Sequence, residues 1–292
     1  DQRAVWVPFH FLPGNQGESF TERLICRQDS AIAQEMVEHH LQHSDKPYYL
    51  ELLGIMAHVY GDTFSHYGFS GVSSRRNRVV NGSFQFCRLN EPTRDYVESK
   101  KISFFQRFGR ALLHNIKSHL AEDLSGALGH GAVMTFPDQP YLTWRFDYEA
   151  YGDDSEVVDS GWRDNPATFL AYCKALHRVL ARQIISQPEY YDAAAVRPWH
   201  DIHAITEGII ANQSDKQGRI AAWTQAAEHG LFNQPEAIPQ YQDWNCDFAI
   251  MGQYDSATDA RNFGLYRFYQ AASYHRWYVL RNLLPKHGLV VS

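Results

Sequence analysis

Residues 54–69 read GIMAHVYGDTFSHYGF, an apolar segment that carries polar residues at steps of four. The polar residues are His58, Asp62 and His66. A step of four advances about 400° around an α-helix and about 6 Å along it, so consecutive members of the trio share one face. Imidazole and carboxylate groups are the usual ligands of zinc and related cations. The stretch therefore predicts a largely buried helix that supplies metal ligands.

Helix geometry limits how the trio binds an ion. His58 and His66 lie about 12 Å apart along a straight helix, too far for both to reach one cation easily. Either the helix ends or bends near Ser65, or Asp62 bridges two ions with one histidine on each side. The alternative without metal is a pair of core histidines whose ring nitrogens are satisfied by hydrogen bonds.

Helical periodicity extends over most of the remaining chain, where apolar residues recur at steps of three and four. Segments 72–98 and 129–164 are rich in turn residues and are predicted as loops, the second long and structured. Alternation typical of strands is not found. The expected fold is an all-α, single-domain multi-helix bundle with long functional loops, spanning residues 1–292. Its predicted helices cover about 30–43, 47–68, 104–128, 165–184, 200–212, 215–228, 235–251 and 261–284.

Composition excludes several classes of partner. The net charge of the 292-residue chain is −6, which argues against a stable nucleic-acid complex but leaves a small-molecule or phosphoester substrate open. The sequence has no apolar run of about 18 residues, so no membrane span is expected. A signal peptide is not visible, which favours the cytoplasm. The chain begins with Asp1 rather than Met, and whether a segment precedes it stays open. Compartment and oligomeric state stay open.

A second pair repeats the spacing of the first. His119 and Asp123 form another His-x-x-x-acid step on a predicted helix. Helical bundles build clusters of two or three metal ions from helices that each supply such a pair. The alternative is a solvent-facing histidine beside an acidic run.

The segment after this helix, GHGAVMTFPDQPY over residues 129–141, holds two more candidates. Glycines on both sides of His130 free the backbone to present the imidazole to a cavity. Asp138 lies between prolines in a stiffened loop and is placed to orient a ligand or contact substrate. The alternative is a helix C-cap at Gly129, with His130 favourable beside the helix dipole. His10 either lines a pocket or packs within a loop.

The HVYGDTFSHYGF phrase at 58–69 and the GHG…FPDQPY loop resemble an uncharacterised microbial branch of the zinc-dependent phospholipase C and single-strand-specific nuclease superfamily. The resemblance implies an all-α protein with up to three zinc ions that cleaves phosphoesters. It implies that His58 and Asp62 are ligands, with Asp62 the bridging carboxylate and His66 completing the set. His119 and Asp123 would stand where the superfamily has His-x-x-x-Glu, with His130 a competitor for that role.

We therefore expect a metal-dependent hydrolase that cleaves a phosphoester at a di- or trinuclear zinc-type site, with other divalent metals as an option. Two alternatives stay open: a non-catalytic helical protein with a polar, histidine-rich core or a small-ligand site, and a metal-dependent amide or ester hydrolase. The catalytic candidates, as second ligand, orienting group or general base, are Asp138 and Asp123. The predicted metal ligands are His58, Asp62, His66, His130 and His119.

Overall fold

Helices make up most of the chain that the computed structural model describes, which comprises residues 3–80, 82–114, 128–150, 157–186, 194, 196–239 and 263–291. A π-helical turn over Val279–Leu283 links the last two helices. The helices are α1 Arg3–Phe9, α2 Phe20–Arg23, α3 Ala31–Leu41, α4 Tyr49–Ser65, α5 Glu91–His114, α6 Asn165–Ser186, α7 Trp199–Ile210, α8 Lys216–Glu228, α9 Gly264–Tyr278 and α10 Leu284–Lys286.

Helix α4 is the centre of the helical core and packs against α3, α6 and α9. Its buried residues recur at steps of three and four: Leu52, Ile55, Met56, Val59, Tyr60, Thr63 and Phe64. Gly61 allows α6 to approach closely, because a Cβ there would lie 2.9 Å from the Tyr172 ring. The Tyr172 hydroxyl also donates a hydrogen bond to the carbonyl of Ala57. His58 and Asp62 lie on the less buried face of the same helix.

Two small antiparallel sheets lie beside the helices. Strands β1 (Gln85–Cys87), β2 (Thr143–Arg145) and β5 (Arg163–Asp164) form one sheet in the order β1-β2-β5. Strands β3 (Asp147–Tyr148) and β4 (Val158–Asp159) form the other. In the first sheet Phe86 pairs with Trp144, which pairs in turn with Arg163. This sheet supports a second, aromatic-rich core that includes Phe11, Phe69, Phe136, Trp144 and Phe146.

The prediction of an all-α fold is wrong, because these sheets make the chain a mixed α/β structure, although helices predominate. The strands are two or three residues long, shorter than the runs in which alternation becomes visible. They also pair across long sequence separations, which a local pattern does not reveal. The single-domain assignment to residues 1–292 stays a prediction.

Most predicted helices within the described residues are confirmed, including α3, α4, α6, α7, α8 and α9. Helix α5 begins at Glu91, within a segment predicted to be a loop. The predicted helix at 235–251 is not helical over 235–239, and its remainder lies outside the described residues. Of the helices that the structure describes, none combines the length and apolar character needed to cross a membrane.

Candidate metal centre

The predicted trio is divided where helix α4 ends. The last helical residue is Ser65, and His66 is the C-cap, with its backbone N–H bonded to the carbonyl of Asp62. The buried Arg163 holds this end of the helix, because its guanidinium donates to the carbonyls of Ser65 and Tyr67 at 3.0 and 2.9 Å. The helix does end at Ser65, but the trio is not gathered around one point, because His58 and Asp62 belong to one group of potential ligands and His66 to another. How the trio binds metal stays a prediction.

The first group consists of His10, His58 and Asp62. One carboxylate oxygen, Oδ2 of Asp62, lies 3.0 Å from Nδ1 of His10 and 3.4 Å from Nε2 of His58. The two imidazole rings meet edge to face with centroids 5.1 Å apart. Two imidazoles and one carboxylate therefore converge at the junction of α1 and α4.

The second group consists of His66, His130 and Asp138. The carboxylate of Asp138 places Oδ1 2.9 Å from Nε2 of His66 and Oδ2 3.6 Å from Nε2 of His130. The two rings lie 4.6 Å apart between centroids. This group repeats the composition of the first, and the 3.6 Å approach of Nδ1 of His66 to Oδ2 of Asp62 joins the two.

Backbone carbonyls orient the histidines of the second group. Nδ1 of His66 donates to the carbonyl of His10 at 2.8 Å, and Nδ1 of His130 donates to the carbonyl of Met134 at 2.6 Å. Each ring therefore presents Nε2 to the centre of the group. This arrangement is typical of metal-binding histidines, whose second ring nitrogen is commonly bonded to a carbonyl or carboxylate.

The spacing of the ligand atoms fits a bound cation. Zinc ligands about 2.0–2.2 Å from a tetrahedral ion lie about 3.3–3.6 Å from one another. In each group the three ligand atoms lie within 4.8 Å of one another. Three protein ligands of this type leave a coordination position for water or substrate, as in catalytic zinc sites. The residues present therefore fit zinc or a similar divalent ion.

Burial, hydrogen bonds and neighbouring charges shift the pKa values of the three side chains in the second group. Burial lowers the pKa of His66, but the hydrogen bond to Asp138 and the charge of Asp62 outweigh it, and the net pKa is raised. Burial raises the pKa of Asp138, but the hydrogen bond from His66 outweighs it, and the net pKa is lowered. Burial lowers the pKa of His130, and the nearby His66 lowers it further. The contact between His66 and Asp138 therefore favours the charged form of both side chains.

Both groups open to solvent on one side. The side chain of His58 is 52% exposed and that of Asp138 is 42% exposed. His66, in contrast, is nearly buried, and the ring of Phe11 stacks on it with centroids 4.8 Å apart. A solute can therefore approach the carboxylate of Asp138 and the imidazole of His58, whereas the link between the groups is shielded.

The loop that carries His130 and Asp138 is held by two contacts. Asn165 donates from its amide to the carbonyls of Phe136 and Gln139, both at 2.8 Å. Gly129 has a φ of +55°, and a Cβ there would overlap the ring of Phe11. The glycine before His130 is therefore required by both the backbone conformation and the packing. The alternative of a helix C-cap concerns preceding residues that lie outside the described ones.

Comparison with sequence models of protein families relates this chain to one family. The sequence model of DUF6765, a family of unknown function, matches residues 1–283. The chain belongs to this family. Comparison with curated proteins and with solved structures gives no significant match. Because DUF6765 has no described activity, the resemblance to phospholipases C and nucleases stays a prediction.

In this DUF6765 chain the structure brings together four of the five predicted metal ligands, with Asp138 beside them: His58, Asp62, His66 and His130. His119 and Asp123 lie outside the described residues. His10 is the member that the sequence did not single out as a ligand. Its aromatic neighbours, Trp6 and Phe11, are the visible signal, because both rings pack around the centre.

Proposed function

We propose that this chain is a metal-dependent hydrolase that binds two divalent ions of the zinc type and cleaves phosphoesters. The observation that carries the proposal is the pair of adjoining groups, each with two imidazoles and one carboxylate. One ion would be held by His10, His58 and Asp62, and the other by His66, His130 and Asp138. Paired ions of this kind serve phosphatases and nucleases by neutralising the oxygens of an in-line displacement.

Each residue has a role that follows from its contacts. When bound, the ions would lower the pKa of a water ligand to near neutrality and polarise the phosphoryl oxygen. Asp138 would act as a ligand, because both of its oxygens face imidazoles and its lowered pKa makes it a weak general base. Asp62 would hold His10 against α4, since its Oδ2 is shared by the two histidines of its group.

The metal content of the purified protein tests the first half of the proposal. After dialysis against zinc and removal of excess metal, we expect two ions per chain by plasma mass spectrometry. Asp62→Asn and Asp138→Asn should each lose at least one ion. His200→Ala is the matched control, because His200 is 82% exposed and pairs only with its neighbour Asp201 among the described residues. Well under one ion per chain after reconstitution would show that the two groups are hydrogen-bonded clusters without metal.

The reaction is tested with chromogenic phosphate and carboxylate esters that all release p-nitrophenol. We expect zinc-dependent hydrolysis of p-nitrophenyl phosphate or bis-p-nitrophenyl phosphate, abolished by chelation and restored by zinc. Asp138→Asn should lose about 10²-fold or more, since removal of one electrostatic group at a reacting centre commonly costs that much. Hydrolysis of p-nitrophenyl acetate alone would instead support the amide or ester hydrolase.

A further inference from the structure

A cavity of about 350 Å³ lies apart from the two metal-ligand groups, between the start of α5, the turn at 135–141 and the start of α8. The turn connects it to the candidate metal centre, because Asp138 faces His66 while the next residue, Gln139, lines the cavity. The entry to α8 is fixed against α5, since Asn90 forms two hydrogen bonds with Gln213. The cavity walls are therefore held by the fold.

Three polar side chains, Thr93, Gln139 and Ser214, line this cavity. Thr93 is only 4% exposed and Gln139 only 8% exposed. The hydroxyl of Ser214 is fully buried and unpaired. Buried polar groups in proteins are almost always paired, and one without a partner calls for a water, an ion or a ligand. The unpaired hydroxyl of Ser214, with Thr93 and Gln139 in the same wall, favours a polar occupant.

The charges around the cavity are mainly positive. Lys100, Lys216 and Arg219 line it, against a single carboxylate, Asp215. Asp215 is occupied as the N-cap of α8, where it accepts a hydrogen bond from the N–H of Gly218. Within the described residues neither Lys100 nor Lys216 is paired with a carboxylate. Arg219 donates one hydrogen bond to the carbonyl of Ser214. Two lysines and an arginine beside hydroxyl and amide groups favour a phosphorylated ligand.

An aromatic wall completes the cavity. Tyr96 lies under Lys100, whose Nζ is 5.3 Å from the ring centre, and Tyr141 lies under Arg219 at 5.4 Å. A tyrosine face beside hydroxyl and carboxamide groups suits the alternating C–H and O–H surfaces of a sugar or polyol. The volume lies within the range of small-molecule sites.

We propose that this cavity binds a phosphorylated sugar or polyol, with the phosphate on Lys100, Lys216 and Arg219 and the hydroxyl groups on Thr93, Gln139 and Ser214. The site does not depend on the proposed hydrolase activity. It assigns a role to the buried polar groups that the metal centre does not use.

Calorimetric titration with glucose 6-phosphate tests the site. We expect saturable binding, with glucose and inorganic phosphate each at least about tenfold weaker, because each lacks half of the contacts. Lys100→Gln and Lys216→Gln should each weaken binding about tenfold, since each removes a charge-assisted contact. Thr93→Val, which keeps the shape of the side chain, should weaken binding about threefold or more.

The matched control is Lys101→Gln. Lys101 is the neighbour of Lys100, but it pairs with Glu98 and lies over Phe86 rather than in the cavity, so its loss should change the affinity less than about twofold. Asp138→Asn should keep the affinity, which separates this site from the metal centre. Binding lost in Asp138→Asn but kept in Lys100→Gln would overturn the proposal, as would equal affinity for inorganic phosphate or no binding at millimolar ligand.

Discussion

His66 is the residue through which the two metal-ligand groups touch. Its Nδ1 lies 3.6 Å from Asp62 and donates to the carbonyl of His10, while its Nε2 faces Asp138. One ring therefore contacts a carboxylate of each group and the backbone of His10, the residue after α1. The step of four along the sequence predicted His66 as a ligand. Its placement in the second group, however, depends on the end of helix α4 at Ser65.

Gly129 adopts a left-handed conformation close to the ring of Phe11. Gly129→Ala should destabilise the fold by about 3 kcal/mol or more, because a left-handed residue costs about 1–2 kcal/mol and the overlap with Phe11 adds to it. Urea denaturation measures the free energy of unfolding. Gly161→Ala is the control: its φ is +69°, but a Cβ there meets nothing within 4 Å. Equal losses in the two variants would mean that Phe11 does not press on this position.

His10 could not be assigned as a metal ligand from the sequence. The step of four that marks His58 and Asp62 is local, whereas His10 meets Asp62 across 52 residues. A single sequence contains no signal for that distance. The aromatic residues around His10 indicated a packed environment, but the histidine could be placed as a ligand only once α1 was seen against α4.

Arg163 links strand β5 to the end of helix α4. Its guanidinium satisfies two carbonyls at the helix terminus and lies 3.6 Å over the ring of Tyr67. Because the last carbonyls of a helix have no partners within the helix, a buried end needs an outside donor. The small sheet therefore positions the turn that divides the two groups.

Arg163→Met should cost about 2–4 kcal/mol in the free energy of unfolding, because a buried and a partly buried carbonyl lose a charged donor. It should also weaken zinc binding, since the turn at His66 loses its support. Arg163→Lys should recover only part of the loss, because an ammonium group cannot reach both carbonyls as a planar fork does. Arg145→Met serves as the control, since Arg145 is a partly exposed arginine of the same sheet. A stability change no larger than that of the control would contradict this role.

A buried chain of hydrogen bonds joins helices α3, α9 and α1. His40 donates from Nε2 to Nδ1 of His275, and His275 donates from Nε2 to the carbonyl of Pro8, two residues before His10. Burial lowers the pKa of His275 to about 4, partly opposed by its bond to Pro8. Burial also lowers the pKa of His40 well below its ordinary value, and the adjacent His275 lowers it further. Both rings are therefore neutral in the folded chain.

The two neutral histidines of this hydrogen-bonded chain predict that the fold loses stability in acid. The unfolded state binds a proton at His275 near pH 6.5, whereas the folded state does so only near pH 4. The contribution of neutral His275 to the free energy of unfolding is therefore fully present above about pH 6.5. It decreases by about 1.4 kcal/mol per pH unit as the pH falls from about 6.5 towards 4. His275→Gln, which keeps a donor and an acceptor, should reduce the slope between pH 6 and pH 4.5 by about that amount. Denaturant melts at several pH values, with His200→Ala as the surface control, measure it; an unchanged slope would contradict it.

Across the whole molecule, local patterns and long-range contacts explain what the sequence could predict. Helices α3, α4 and α6 were predictable because their buried faces recur within a few residues of one another. The sheet was not, since Phe86 and Trp144 pair across 58 positions in strands of three residues. The same distinction between local and long-range signals holds for the site. The local spacing identified His58, Asp62 and His66, but their partners His10 and Asp138 are distant in the sequence.

Metal should stabilise the whole fold, because the two groups join α1, α4 and the loop at 128–138. A ligand that binds only the folded state adds about 2.7 kcal/mol at a concentration of 100 times its Kd. We therefore expect the melting temperature to fall in EDTA and to recover with zinc. The double variant Asp62→Asn with Asp138→Asn should melt at the same temperature in both conditions. A wild-type protein that melts identically with and without EDTA would contradict this expectation.

The most direct test of the central claim is a crystal structure of the zinc-treated protein with an anomalous map at the zinc edge. We predict two peaks, one bound by Nδ1 of His10, Nε2 of His58 and Asp62, the other by Nε2 of His66, Nε2 of His130 and Asp138. A map without peaks at these side chains, in which His10 still bonds to Asp62 and His66 to Asp138, would contradict it.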